Sequence, residues 1–187
     1  MEPLSARVVR RTVLTTVLSI VCGLCTLHAQ PSFETRLKAA VLSKFPQFVE
    51  WPPAALDGRT TIDICVLSPD PFGADLQALV AGETLNGRAI AVRHLASERD
   101  VAACHVLFVP AEAPPAARRA ALQNAGAQPT LTVGDDRRFL DDGGMVQLRQ
   151  VNGRLRFDVN VAAAQRSGLR ISSQLLQLAL SVRGRAS

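Results

Sequence analysis

The sequence predicts an α/β fold, a single domain in which one mixed β-sheet is covered by helices. Apolar, β-branched runs of strand length alternate along the chain with stretches of helical periodicity, which is the order that places helices on a sheet. Asn86-Gly87 and Asn152-Gly153 are turn signals, so hairpin-type links interrupt the alternation and part of the sheet is antiparallel. No repeat or linker divides residues 30–187, which we expect to form one domain.

The first 29 residues have the order of a secretory signal peptide. Three arginines precede an uncharged, mostly apolar run from Thr12 to Leu27, and Ala29 follows as a small residue at which a signal peptidase would cut. The run is shorter than the ~20 residues of a membrane-spanning helix. We expect residues 1–29 to be removed and residues 30–187 to be periplasmic without stable membrane insertion; an uncleaved anchor is the alternative.

An amphipathic helix is the first element predicted in the mature chain, within residues 33–51. Leu37, Val41 and Phe45 recur at every fourth residue, which places them on one helical face. Pro46 lacks the backbone donor that a helix interior needs, so the pattern predicts either a kink or a second short turn there. The prolines that follow the segment end it.

Strands and helices then alternate up to residue 109. Residues 60–67 alternate β-branched and polar side chains, as a strand does. Asp70 is a plausible N-cap, with Pro71 at the first position of a helix that runs through Val80. Short strands are predicted at residues 89–92 and 105–109.

The second half of the chain continues the alternation and adds a hairpin. Its predicted elements are a helix at 115–124, a strand at 130–133, a polar turn at 135–142, a hairpin of strands 145–150 and 155–159, and helices at 161–166 and 173–182. The last helix is apolar around most of its circumference, which predicts that it packs on the sheet or lies in an interface.

The two cysteines of the mature chain are Cys65 and Cys104. In an oxidising compartment two cysteines favour one disulfide. Each also lies in or beside an apolar strand-like run, where a free thiol would be stable. The residues alone therefore leave one disulfide and two separate buried thiols as alternatives.

Several classes of function lack the residues that they need. The net charge is +5, the cations are scattered and aromatic residues make up 4% of the chain, which does not fit nucleic-acid binding. His94 and His105 have no Cys or carboxylate at metal-ligand spacing, and His105 is interpreted as a core histidine. The aspartates of the 135–142 turn are interpreted as solvated turn residues. We find no catalytic constellation and expect neither an enzyme nor a cofactor, with a hydrolase as the remote alternative.

One polar row lies on a predicted strand, where Arg154, Arg156, Asp158 and Asn160 alternate with apolar residues and so share one face. Two arginines on a sheet face could hold an anion or a carboxylate of a partner. The alternative, which we favour, is a solvated face of the hairpin.

Several segments together resemble the YfiR-like family of periplasmic proteins. They are Phe48-Val49-Glu50-Trp51-Pro52, Ile64-Cys65-Val66-Leu67, Asp70-Pro71-Phe72-Gly73, Cys104-His105-Val106-Leu107-Phe108, Leu131-Thr132-Val133-Gly134-Asp135, Gly143-Gly144-Met145 and Gly168-Leu169-Arg170-Ile171-Ser172-Ser173. The likeness spans nearly all of the mature chain and rests on the order and spacing of these pieces. Pro46 departs from the family pattern, which usually continues a helix there.

The resemblance implies a periplasmic repressor that binds the sensory part of an inner-membrane diguanylate cyclase and keeps it inactive, which lowers cyclic di-GMP and biofilm formation. It also implies sequestration by an OmpA-like outer-membrane lipoprotein, and it implies that Cys65 and Cys104 form the family's structural disulfide. A sensor histidine kinase is an alternative partner. The alternative function is a small-ligand-binding module that feeds a kinase or a transporter, with a pocket between the sheet and the last helix.

We expect the partner to bind around Phe48, Glu50 and Trp51. Trp51 is the single tryptophan of the chain, and aromatic residues are enriched at interface hot spots. Glu50 supplies a charge that could pair with a partner cation. The alternative is that Trp51 closes the core beneath the first helix.

Overall fold

The computed structural model of the protein describes residues 32–184, and the predicted signal peptide lies outside them. The helices are α1 (Phe33–Lys44), α2 (Pro53–Leu56), α3 (Ala74–Val80), α4 (Pro115–Gly126), α5 (Val161–Arg166) and α6 (Ser173–Leu178), with 3-10 turns at Phe45–Phe48 and Glu98–Ala103. The strands are β1 (Val49–Glu50), β2 (Thr61–Leu67), β3 (Thr84–Leu85), β4 (Arg88–Leu95), β5 (Val106–Val109), β6 (Leu131–Gly134), β7 (Val146–Val151), β8 (Arg154–Asn160), β9 (Arg170–Ile171) and β10 (Ser181–Arg183).

Eight of these strands form one mixed sheet in the order β10-β8-β7-β6-β5-β2-β4-β3. Its centre is parallel, from β4 through β2, β5 and β6 to β7. The β3–β4 and β7–β8 pairs are antiparallel, each across one of the Asn-Gly turns. The predicted mixed α/β fold is confirmed. A separate two-stranded sheet pairs β1 with β9.

The sheet buries apolar side chains on both faces. One face carries Ile64, Val106 and Phe108 into the larger core cluster, which also contains Leu42 of α1 and Leu76 of α3. The other face carries the second cluster, in which strand residues meet the alanines of α4 and the 139–140 segment. Both faces of the parallel centre are therefore covered, as is usual for buried parallel strands.

Pro46 is the second residue of a short 3-10 turn at the end of α1, and a short turn at this point is one of the two outcomes predicted for it. The turn occupies Phe45–Phe48. Proline is tolerated at the start of such a turn because the missing N–H has no partner there in any case. The turn redirects the chain into β1.

The helix predicted from Pro71 starts later than expected. The Asp70 carboxylate accepts hydrogen bonds from the N–H groups of Phe72 and Gly73, at 2.8 and 3.1 Å. It therefore stabilises a turn that precedes the helix, and α3 begins at Ala74. Gly73 has a φ of +55°, a conformation that glycine adopts readily and that ends the turn.

The prediction of one long C-terminal helix at residues 173–182 is wrong. Helix α6 ends at Leu178, and residues 181–183 form β10, which pairs in parallel with β8. The Leu180 N–H donates to the Phe157 carbonyl at 2.8 Å. The backbone hydrogen bonds that β8 offers at this edge favour a strand here, although the apolar pattern of the segment fits a helix as well.

The 135–142 turn is more buried than predicted. Phe139 and Leu140 belong to the second core cluster, and a Cβ atom at Gly134 or Gly144 would clash with the Phe139 ring. The two glycines therefore let the turn close over that ring. Asp135 is also largely buried, with its side chain 9% exposed, so it is not the solvated residue that the sequence predicts.

Candidate partner-binding site

The predicted partner-binding segment lies on the small β1–β9 sheet. Val49 and Glu50 pair with Ile171 and Arg170 in antiparallel register. The Ser172 N–H also donates to the Phe48 carbonyl at 2.9 Å. The backbone of the segment is thus held by the chain that follows α5, a contact between positions more than 100 residues apart.

Glu50 is the most accessible of the three predicted contact residues. Its side chain is 71% exposed, and the closest cation is the Arg170 guanidinium, with Nη1 4.0 Å from Oε2. Arg170 is itself 85% exposed, and an ion pair of this kind contributes little to stability. The Glu50 carboxylate is therefore free to meet a partner cation.

Trp51 lies in the core, which is the alternative interpretation of this residue. It is 9% exposed and belongs to the larger core cluster. Its ring packs edge-on against His105, with the ring centroids 6.0 Å apart. Among residues 32–184 the Trp51 Nε1 atom has no hydrogen-bond partner. Of the predicted patch, then, Glu50 is exposed, Phe48 is half-buried and Trp51 is buried.

A cleft of about 340 Å³ opens beside this segment. Trp51, Leu56 and Ile62 line it together with polar residues that include Glu50 and Arg88. The Arg88 guanidinium is engaged with backbone carbonyls, since Nε donates to Arg59 at 3.1 Å and Nη2 to Leu56 at 3.3 Å. The cleft is therefore lined by both polar and apolar side chains, and its accessible lining is mainly polar.

The predicted polar row on β8 is a mixture of exposed and buried groups. Arg154 and Arg156 are exposed, but Asp158 is only 6% exposed. Asp158 forms an ion pair with Arg149, whose Nε lies 2.7 Å from Oδ2, and its Oδ1 accepts from Ser181 Oγ at 2.6 Å. Both partners were missed in the sequence because they come from neighbouring strands; the hairpin register was the signal that could have found Arg149. Asn160 instead caps α5 by accepting from the Ala163 N–H.

The predicted disulfide is present. Cys65 of β2 is bonded to Cys104, just before β5, and their Cα atoms are 5.8 Å apart, within the range that a disulfide requires. Since β2 and β5 are adjacent parallel strands, the bond ties two central strands of the sheet. The alternative of two separate thiols is wrong.

His105 is the satisfied core histidine that the sequence predicts. It is 4% exposed, and its Nδ1 accepts the Asp63 N–H at 3.0 Å, so the neutral ring carries its proton on Nε2. Burial lowers the pKa of His105 below its usual value; the nearby Asp63 carboxylate opposes this shift, and Arg59 adds to it. The ring is therefore neutral at physiological pH.

The largest cavity described, about 500 Å³, lies at the amino-terminal ends of β5 and β6. His105, Thr130 and Arg59 line it together with Asp57 and Ser167. No residue of α6 lines it, so it does not lie between the sheet and the last helix, where the sequence predicts a ligand pocket.

Within residues 32–184 no three His, Cys, Asp or Glu side chains come together as metal ligands. No helix in the same part of the chain is both long and apolar enough to cross a bilayer.

Comparison with solved structures finds similar folds at low sequence identity. An ABC domain in complex with L-Trp from Streptococcus pneumoniae matches with a TM-score of 0.52 and 12% identity, over 77% of this chain and 60% of that chain. A conserved domain protein from Vibrio cholerae matches with a TM-score of 0.48 and 11% identity, over 80% of this chain and 60% of that one. The chain thus spans about 60% of the length of each. At such identities the first likeness concerns the fold alone.

Comparison with curated proteins finds no match. A family model described as YfiR/HmsC-like, however, matches residues 35–180. The matched region runs from α1 to the residue before β10 and includes the disulfide, the β1–β9 sheet and the polar face of β8. It is most of the chain, and the protein therefore belongs to the YfiR/HmsC-like family.

Proposed function

We propose that this protein binds the periplasmic part of an inner-membrane diguanylate cyclase and holds the enzyme inactive, so that cyclic di-GMP and biofilm formation fall. The observation that carries the proposal is the family match over residues 35–180, since this family suggests periplasmic, non-catalytic regulation of diguanylate cyclase signalling. A regulator of this kind acts by differential binding to two states of its target.

The proposed contact is the surface at Phe48 and Glu50, next to the buried Trp51. Glu50 offers an exposed carboxylate that its neighbour Arg170 holds only weakly. The cleft beside it is lined by polar and apolar side chains that a partner side chain could contact. An exposed charge at the edge of such a contact favours a protein partner, because it orients the complex and raises the association rate.

A complementation experiment tests this proposal. A deletion strain is expected to show raised cyclic di-GMP and stronger surface attachment, and the wild-type gene to restore both. Glu50→Arg should fail to restore them while remaining folded, with its free energy of unfolding within about 0.5 kcal/mol of wild type. The matched control is Glu112→Arg, a charge reversal at another exposed glutamate, which should restore repression fully.

Two outcomes would count against the proposal. Unchanged cyclic di-GMP in the deletion strain would remove the cyclase as the target and favour a sensor kinase. Full repression by a folded Glu50→Arg protein would leave the function intact but move the contact away from this surface.

Export and the second partner are part of the same proposal. Intact-mass measurement of the protein from the periplasmic fraction is expected to give a chain that begins after Ala29. Recovery in membranes, with residues 1–29 retained, would instead indicate an anchor. A pulldown with the mature protein as bait should capture an inner-membrane cyclase, and an OmpA-like outer-membrane lipoprotein where the strain has one.

A small-ligand-binding module that feeds a kinase or transporter is the second candidate. The cavity of about 500 Å³ lined by Arg59, His105 and Thr130 favours it, because a concave site with a few polar groups suits a small molecule. A ligand that raises the melting temperature of wild type but not of Arg59→Ala would support this candidate.

A further inference from the structure

Three arginines form an exposed cluster on the β7–β8 hairpin, on the polar face of the sheet. The strand register places Arg149 directly opposite Arg156 and Arg154 opposite Val151, so Arg154 is a diagonal neighbour of Arg149. All three arginines are exposed. We call this set, Arg149, Arg154 and Arg156, the arginine face.

The three arginines of the cluster carry more positive charge than the nearby Asp158 carboxylate neutralises. Like charges directly opposite on paired strands destabilise a hairpin. The buried Asp158 carboxylate offsets part of this cost, but it binds Arg149 through Nε and otherwise meets the Ser181 hydroxyl. Within the described range, residues 32–184, no carboxylate lies within 4.0 Å of the Arg154 or Arg156 guanidinium. The guanidinium N–H groups of Arg154 and Arg156 therefore have no carboxylate partner among residues 32–184.

The shape and composition of the face indicate the kind of ligand. It is an open strand surface, and Arg149, Arg154 and Arg156 line none of the cavities described, whereas small molecules favour concave sites. The residues that share the face are polar apart from the half-buried Val151, so nothing large and apolar is available to enter a bilayer. Guanidinium groups match carboxylates in a bidentate geometry.

We propose that the arginine face is a docking surface for an acidic segment of a protein partner, whose carboxylates pair with Arg154 and Arg156. The inference extends the proposed function, on which it rests for the identity of that partner as the regulated membrane protein. Its role is to orient and accelerate the encounter, since charges at the edge of an interface act mainly on specificity and association rate.

Fluorescence anisotropy with a labelled hexaglutamate peptide tests the surface without the natural partner. The oxidised protein purified from the periplasm is expected to bind the peptide at low salt and to release it as salt is raised. Arg154→Glu/Arg156→Glu should weaken binding about tenfold, as expected from the loss of two exposed ion pairs. The control Arg93→Glu/Arg119→Glu carries the same change in net charge at exposed arginines elsewhere and should stay within about twofold.

Asp158→Asn should strengthen peptide binding, the opposite of the effect expected for Arg154→Glu/Arg156→Glu. The amide keeps one acceptor oxygen, which can replace the contact to Arg149 or the one to Ser181, while the negative charge of Asp158 is removed. Peptide binding should tighten by about twofold to fivefold. Urea unfolding of each variant establishes that the comparison is made between folded proteins.

Three results would overturn the inference. One is that Arg93→Glu/Arg119→Glu weakens peptide binding as much as Arg154→Glu/Arg156→Glu does, which would show that binding depends on net charge alone. Another is peptide binding that Arg154→Glu/Arg156→Glu leaves unchanged. The third is strong binding to phosphatidylglycerol vesicles that this variant abolishes while peptide binding is absent, since the face would then serve a lipid surface. Unchanged cyclic di-GMP in the deletion strain would contradict the proposed function and leave these peptide results standing.

Discussion

Trp51 packs edge-on against His105, with the ring centroids 6.0 Å apart and the planes at 81°. The contact joins the segment after β1 to the residue that precedes β5, and it places the single tryptophan of the chain under the surface where Glu50 is exposed. The position of the candidate partner site therefore depends on a core contact.

Truncation of Trp51 should destabilise the protein strongly. Trp51→Ala is expected to lower the free energy of unfolding by about 3–5 kcal/mol, because it leaves a large cavity. Trp51→Phe should cost less, since it keeps an aromatic ring and removes an N–H that has no partner within residues 32–184. Urea unfolding followed by circular dichroism measures both. Equal stability of Trp51→Ala and wild type would mean that the indole is not a core element.

Acidification should destabilise the fold through His105. Its pKa in the folded protein is lowered from 6.5 chiefly by burial, so below that pH the unfolded chain binds a proton that the folded chain resists. The stability that neutral His105 contributes is fully present above pH 6.5, and it is lost as the pH falls through the lowered pKa of the folded state. His105→Gln, which can still accept the Asp63 N–H, should flatten this dependence. Identical slopes for the two proteins between pH 7.5 and 5 would contradict the assignment.

Lys38 and Asp135 form a part-buried ion pair between α1 and the end of β6. Lys38 Nζ lies 2.7 Å from Asp135 Oδ2, and Asp135 Oδ1 accepts the Ala111 N–H at 2.8 Å. Burial acts to lower the pKa of Lys38, but its hydrogen bonds to Asp135 and Glu34 outweigh it and leave that pKa raised.

Removing the Lys38 amine should cost about 1.5–3 kcal/mol, because Asp135 would keep a buried charge without its partner. The double variant Lys38→Met/Asp135→Asn should recover part of the loss, and a double-mutant cycle measures the coupling. The pair is fully present below pH 10.5, and its contribution should disappear as pH rises through the raised pKa of Lys38. If the effects of Lys38→Met and Asp135→Asn on the free energy of unfolding simply add in the double variant, the two side chains are not coupled.

Loss of the Cys65–Cys104 bond should lower the stability of the oxidised protein. The bonded residues are 39 positions apart, for which loop-closure entropy gives about 4 kcal/mol. Dithiothreitol should therefore lower the urea midpoint of wild type and leave that of Cys65→Ala/Cys104→Ala unchanged. A wild-type midpoint that does not respond to complete reduction would show that the bond adds nothing to stability.

The sequence by itself determined several local elements, and its resemblance to a family implied the disulfide. The alternation of Ile62, Ile64 and Val66 predicts β2, the Asn152-Gly153 turn predicts the β7–β8 hairpin, and the resemblance to the YfiR-like family implies the Cys65–Cys104 pair; all are present in the structure. These signals are readable because strand periodicity and tight-turn chemistry involve residues that are close in sequence, and because the family's segments keep their order along the chain.

Only the tertiary structure decided which side chains are exposed and which strands are neighbours. Trp51 is buried because His105, 54 positions along the chain, lies against it, and residues 181–183 are a strand because β8 offers them hydrogen bonds. Arg149 faces Arg156 through the register of one hairpin. An apolar residue has the same local pattern in a core and at an interface, and a short apolar run fits either a helix or a strand, so contacts between distant segments select the outcome.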